Sequence, residues 1–98
     1  MLFLVRFTDK PGSLVLRQNL LPAHLQWLEP LEATVLVAGS LRREPGDAPV
    51  GGCWVVEAAS KPDVEALLRA DPFWVGGLRE SYEILYWSKA HPDRKVPV

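Results

Sequence analysis

Leu2 to Phe7 is apolar on both alternating faces apart from Arg6, and the turn residues Thr8-Asp9-Lys10-Pro11-Gly12 follow it, so a strand and a turn are predicted. Ser13 is placed to cap a helix running from Leu14 to about Leu31. Its apolar positions fall at Leu14, Leu21, Leu25 and Leu28 and at Leu16, Leu20, Ala23, Trp27 and Leu31. Pro22 inside that stretch predicts a kink or restart, and Pro30 marks the end. Ala33 to Leu41 reads as a second strand, Arg42 to Gly52 as a hairpin loop and Cys53 to Ala58 as a third strand. Ser60 then caps a second helix with Pro62 in its first turn and an apolar face at Val64, Leu67 and Leu68. Asp71-Pro72 starts a short helical turn that Gly76-Gly77 stops, and Ser81 to Trp87 is the fourth strand.

The order β-α-β-β-α-β predicts an α+β fold of ferredoxin-like type, a four-stranded antiparallel sheet with two helices on one face. Such a sheet should alternate apolar and polar residues, because only one face is covered. The first three strands do not: Leu2-Phe3-Leu4-Val5, Thr34 to Ala38 and Trp54-Val55-Val56 are apolar on both sides. A bare apolar face would aggregate, so a second copy packed sheet to sheet about a two-fold axis is expected, a homodimer or a higher oligomer containing it. The alternative cover is the C-terminal tail. Residues 89–98, following the domain at 1–88, are polar and proline-broken, with little apolar surface for that purpose.

Composition narrows the function classes. Eleven basic against twelve acidic residues give a net charge of −1, which lacks the basic footprint of a nucleic-acid binder or a polybasic membrane anchor. One cysteine, Cys53, excludes an internal disulfide and any multi-cysteine metal site and fits a reducing compartment. No apolar run approaches the roughly 20 residues that span a bilayer. With no leader-like start, a cytoplasmic location is expected. The two histidines have no ligand-type spacing, so no metal site is expected.

Two residues carry candidate chemistry. His24 lies near the middle of the first helix's apolar arc, with Arg17 two turns earlier beside it. A titratable ring aimed at the interior can act as a general acid or base near neutral pH. It can equally be a packed histidine satisfied by a backbone carbonyl. Asp71, before Pro72 at a helix start, is placed to accept backbone N–H bonds as a cap, or to orient a histidine. Ser40 and Trp74 are further candidates for lining a pocket, and Arg17 joins them.

The combination Pro22-Ala23-His24-Leu25-x-x-Leu28, Ala38-Gly39-Ser40-Leu41 and Ala70-Asp71-Pro72-Phe73 resembles the YCII-related (YciI-like) family, from Met1 to about Trp87. The resemblance implies a dimeric α+β barrel and an active site pairing His24 with Asp71. It also implies chemistry of the kind one member performs, dehydrochlorination of a chlorinated hydroxyhydroquinone. Leu21 stands where relatives often carry arginine, and Ser40 where many have proline. Together these predict a cofactor-free lyase or isomerase moving a proton on a small cyclic or aromatic compound. His24 and Asp71 would be catalytic, and Ser40, Arg17 and Trp74 would bind substrate. A non-catalytic protein binding a small ligand in the same cavity is the alternative, and a dimeric-barrel monooxygenase or haem-handling protein a more distant one.

Overall fold

In the computed structural model, which describes residues 1–95, the strands are β1 (Leu2–Asp9), β2 (Val35–Leu41), β3 (Gly51–Glu57) and β4 (Arg79–Trp87). The helices are α1 (Leu14–Leu28), α2 (Lys61–Ala70) and α3 (Pro72–Val75). The four strands make one antiparallel sheet in the order β2-β3-β1-β4, the ferredoxin-like α+β arrangement. Period-two alternation divides β1 cleanly. Phe3, Val5, Phe7 and Asp9 are buried toward the helices, and Leu2, Leu4, Arg6 and Thr8 point to the open face. Phe3, Val5 and Phe7 join Trp54, Val56 and Ile84 of the sheet and Val64 and Leu68 of α2 in the core. Each such side chain stabilises the fold by about 1.5–3 kcal/mol.

Several boundaries differ from expectation, each for a local reason. α1 continues through Pro22 without a restart and ends at Leu28, where a 3₁₀ turn over Glu29–Leu31 takes over. Pro22 is exposed, so the carbonyl it frees on Gln18 can meet water. Ser13 does not cap α1; its hydroxyl instead donates to the Lys10 carbonyl at 2.5 Å. Ser60 does cap α2, accepting from the Asp63 N–H at 3.3 Å. β2 starts at Val35 because Ala33 and Thr34 lie in a turn that closes from the Thr34 N–H to the Leu31 carbonyl. The polar tail expected over 89–98 follows β4 as far as Lys95, and its last three residues lie outside the described residues.

The largest departure is at Gly51 and Gly52, expected in the hairpin loop and found inside β3. Close approach, not a turn, accounts for them, decisively at Gly51 and more mildly at Gly52. A Cβ on Gly51 would lie 2.0 Å from the Phe7 carbonyl oxygen, so the β1–β3 pairing closes there only without a side chain. Gly51→Ala is therefore expected to destabilise the protein by at least about 2 kcal/mol in urea unfolding, the range of a forced overpacking. A loss below a few tenths of a kcal/mol would mean the strands part easily at this point.

The open face of the sheet carries a cross-strand row of Val37, Val55, Leu4 and Leu85, flanked by Leu2 and Trp87. Leu85 and Trp87 are 43% and 44% exposed, and the Arg6–Glu83 ion pair lies on the same face. No helix among the described residues is long and apolar enough to cross a membrane.

Candidate functional site

Asp71 sits at the junction of two helices, ending α2 and capping α3. The proline after it holds its backbone extended, with φ −63° and ψ 130°, which turns the carboxylate back over the first turn of α3. There Oδ1 accepts the Phe73 N–H at 3.0 Å. The same oxygen meets Nδ1 of His24 at 2.7 Å. One oxygen of Asp71 thus both caps α3 and bonds His24. Oδ2 is buried without a partner among the described residues.

His24 is 6% exposed, delivered by α1 where that helix packs against α3. Its ring stacks on Phe73 at 3.8 Å and 11°. A carboxylate only accepts, so Nδ1 carries the hydrogen in this pair and Nε2 is the basic nitrogen. Nε2 has no hydrogen-bond partner among the described residues and is not sealed from the surface. The alternative of a histidine satisfied by a backbone carbonyl is not what the chain builds.

The ring lines a cavity of about 320 Å³ between α1 and the β2–β3 side of the sheet. That size lies at the lower end of small-molecule sites, which run from about 300 to 1,000 Å³. One wall consists of Leu14, Leu21, Leu25 and Leu28 of α1. The first three of these are largely exposed, because the apolar arc predicted for α1 faces partly into this space and not wholly onto the sheet. The opposite wall is Ala38, Gly39, Ser40 and Trp54. Ser40 therefore lies at the cavity. Trp74 does not line it: its ring meets Tyr82 edge-on at 5.2 Å, under the Arg69 guanidinium. The substrate-binding role expected for Trp74 is thereby corrected to packing, since successive helical residues point about 100° apart and Phe73 takes the cavity side.

Two arginines complete the lining. Arg17 of α1, anticipated beside His24, is 9% exposed. It donates from Nε and Nη2 to Oδ2 of Asp9, at 3.2 and 2.9 Å, and from Nη2 to the Gly51 carbonyl at 3.1 Å. Arg79 of β4 donates from Nη1 to Oδ1 of Asp9 at 2.7 Å. Burial pushes the Arg79 guanidinium below its ordinary range, and the hydrogen bond and charge of Asp9 oppose that fall. Its carbon lies 4.4 Å from the Phe7 ring centre and 4.9 Å from that of Phe73, and Arg17 sits 5.1 Å from Phe73. Gly52 makes the room: a Cβ there would lie 3.0 Å from Nη2 of Arg79.

Sequence reasoning missed Asp9 and Arg79. Asp9 has the same parity as Phe3, Val5 and Phe7, a usable signal that its place among turn residues masked. Arg79 left no such signal. Alternation from Tyr82 and Ile84 puts it on the open face, but the pairing shifts from Thr8↔Ser81 to Asp9↔Arg79. That β-bulge at Glu80 reverses the facing and brings Arg79 under the helices. Cys53 is half-buried, and burial pushes its thiol up, against the lowering influence of Arg6. Among the described residues, no group of His, Cys, Asp and Glu side chains is arranged to hold a metal ion.

The chain matches the family model of the YCII-related domain over residues 1–88. Among solved structures it is similar to 5-chloro-2-hydroxyhydroquinone dehydrochlorinase (TftG) from Burkholderia phenoliruptrix AC1100, in complex with 2,5-dihydroxybenzoquinone. That likeness has a TM-score of 0.82 and 36% identity and covers 90% of this chain and 94% of that one. A candidate antibiotic biosynthesis monooxygenase from Bacteroides thetaiotaomicron VPI-5482 shares the fold at TM-score 0.60 and 18% identity, over 98% of this chain and 94% of that one. A NIPSNAP family protein from Agrobacterium tumefaciens C58 does so at 0.52 and 16%, over 95% and 97%. No curated protein matches the chain.

Proposed function

The chain belongs to the YCII-related family, and on that footing we propose that it is a proton-transfer enzyme, a lyase or isomerase acting on a small hydroxylated ring compound. The observation that carries this reading is the buried His24–Asp71 hydrogen bond whose free imidazole nitrogen borders the cavity. Nε2 of His24 takes a proton from a ring hydroxyl, and Asp71 fixes the tautomer and stabilises the imidazolium that results. In a dehydrohalogenation, the substrate is the tautomer whose halogen-bearing carbon is tetrahedral. The electron pair left on oxygen becomes a carbonyl, the ring electrons shift, and the carbon–halogen pair departs as halide. The product is the substrate minus HX, and no oxidant is consumed, so the reading asks for no cofactor. TftG, at 36% identity, is named for a reaction of this type. Ser40 and Arg17, both at the cavity, are assigned to substrate binding.

The test is turnover of a panel of chlorinated and hydroxylated aromatics and lactones, followed by absorbance and halide release. Turnover of at least one halogenated phenol is expected. Saturable binding of the panel with no turnover would make the protein a ligand carrier instead.

The same reading includes assembly. Two copies would pack through the apolar row Val37–Val55–Leu4–Leu85, closing a barrel from two sheets. Sedimentation at micromolar concentration is expected to show a homodimer, and Leu4→Arg, on the open face, a folded monomer. A stable wild-type monomer would remove the assembly. The lone half-buried thiol and the near-neutral charge fit a soluble life in the reducing cytoplasm.

A further inference from the structure

Three polar side chains at the cavity, Gln18, Ser40 and Arg42, take no part in the proton transfer. The charges that face the same space are otherwise paired within the protein: Arg17 and Arg79 with Asp9, and His24 with Asp71. No carboxylate lines the cavity itself. Arg42 has no acidic partner among the described residues. It stands just past the end of β2, held by the hairpin that it starts. Its Nε donates to the Asp47 carbonyl at 3.0 Å. The hairpin is itself closed by the Val50 N–H on the Leu41 carbonyl at 2.8 Å and the Asp47 N–H on the Glu44 carbonyl at 3.1 Å. With Nε so engaged, both Nη groups of Arg42 are left to meet a ligand. Ser40 precedes Arg42 on β2, where pairing with Gly52 sets it on the helix side of the sheet. Gln18 comes from the opposite wall, about 9 Å before His24 along the axis of α1. All three side chains are exposed, so a charged group can sit among them without losing all of its water.

We propose that Gln18, Ser40 and Arg42 form a carboxylate seat at the cavity rim, so that the ligand is a hydroxylated ring bearing a carboxylate on the side away from its reacting hydroxyl. This rests on the reading of the cavity as the substrate site and narrows the substrate class. A guanidinium fork meets both oxygens of a carboxylate side by side, and the hydroxyl and amide add neutral donors. The leucines of α1 and Trp54 supply apolar surface for the ring. About 9 Å of helix between Gln18 and His24 is room for one six-membered ring with a polar group at each end. A ring pinned by its carboxylate presents the opposite hydroxyl to the imidazole, so the seat decides which proton His24 takes.

The probes are 3,4-dihydroxybenzoate and its neutral amide, 3,4-dihydroxybenzamide, compared by calorimetric titration at neutral pH. The carboxylate is expected to bind about tenfold or more tightly than the amide, the scale of a charge-assisted bidentate contact. Added salt should shrink that preference, because the guanidinium is exposed. Arg42→Gln should bring the ratio near one, with catechol, which lacks the carboxylate, reporting whether the cavity is intact. Equal binding of acid and amide by the wild type overturns the seat. So does a preference that persists in folded Arg42→Gln or is indifferent to salt, since it would then arise at the buried arginines. His24→Gln separates the two ideas: it should abolish turnover yet keep the preference for the carboxylate. Turnover of phenols without any preference for the acid removes the seat and leaves the proton-transfer enzyme. A preference in a protein that turns over nothing removes the enzyme and leaves the seat.

Discussion

Replacing His24 with glutamine is expected to cut turnover of the panel's best substrate by about 10²–10⁴-fold, the range carried by one positioned proton-transfer group. Glutamine suits this experiment because its amide can still donate to Oδ1 of Asp71, so the buried carboxylate is not stranded. The face-to-face contact with Phe73 weakens, a cost confined to one wall of the cavity. Asp71→Asn should come within about tenfold of the same loss by a different route. An asparagine that keeps its oxygen in the place of Oδ1 still accepts from the Phe73 N–H and from Nδ1, but it carries no charge to stabilise the imidazolium. Steady-state kinetics on both variants, with unfolding curves alongside, checks this. Turnover within a few-fold of wild type in folded His24→Gln would show that the imidazole is a packing group.

The two members of that pair were readable before the structure because each rests on a local rule. Helical periodicity aims His24 inward, and Asp-Pro fixes a carboxylate at a helix start. Neither rule says that the two helices meet. That juxtaposition came from the resemblance to a family and is present as a 2.7 Å hydrogen bond. The element order was equally legible, since each strand and helix is bounded by its own turn residues. What escaped was set by pairing between strands. Gly51 and Gly52 look like loop residues in isolation, and only the approach of Phe7 and Arg79 shows why they belong to a strand. Arg79 escaped for a related reason, because a single bulge inverts the facing that alternation assigns. Trp74 was misplaced by proximity in sequence: successive residues on a helix point about 100° apart, so Phe73 at the cavity argues against Trp74 there.

The cluster that escaped the sequence also carries the largest expected stability effect. Asp9→Asn should destabilise the fold by about 3–5 kcal/mol in denaturant unfolding, the cost of breaking a buried ion pair from one side. Both oxygens of Asp9 are engaged, Oδ2 by Arg17 and Oδ1 by Arg79, and its side chain is 4% exposed. Asparagine keeps the shape and one accepting oxygen, so the loss reports charge more than packing. It leaves two buried guanidinium groups facing each other without a counter-charge, in a domain whose whole stability is about 5–15 kcal/mol. Adding Arg17→Met to Asp9→Asn should recover part of the loss, because it removes one of the two repelling cations while Arg17→Met alone destabilises. That non-additivity is the signature of shared charge and is absent if Asp9 acts through packing. The same imbalance predicts that sulfate raises the unfolding midpoint of Asp9→Asn more than that of wild type, since an external anion can stand in for the missing carboxylate. An Asp9→Asn variant within about 1 kcal/mol of wild type, and indifferent to sulfate, would mean that water reaches and screens the two arginines, and that the cavity holds no unbalanced charge.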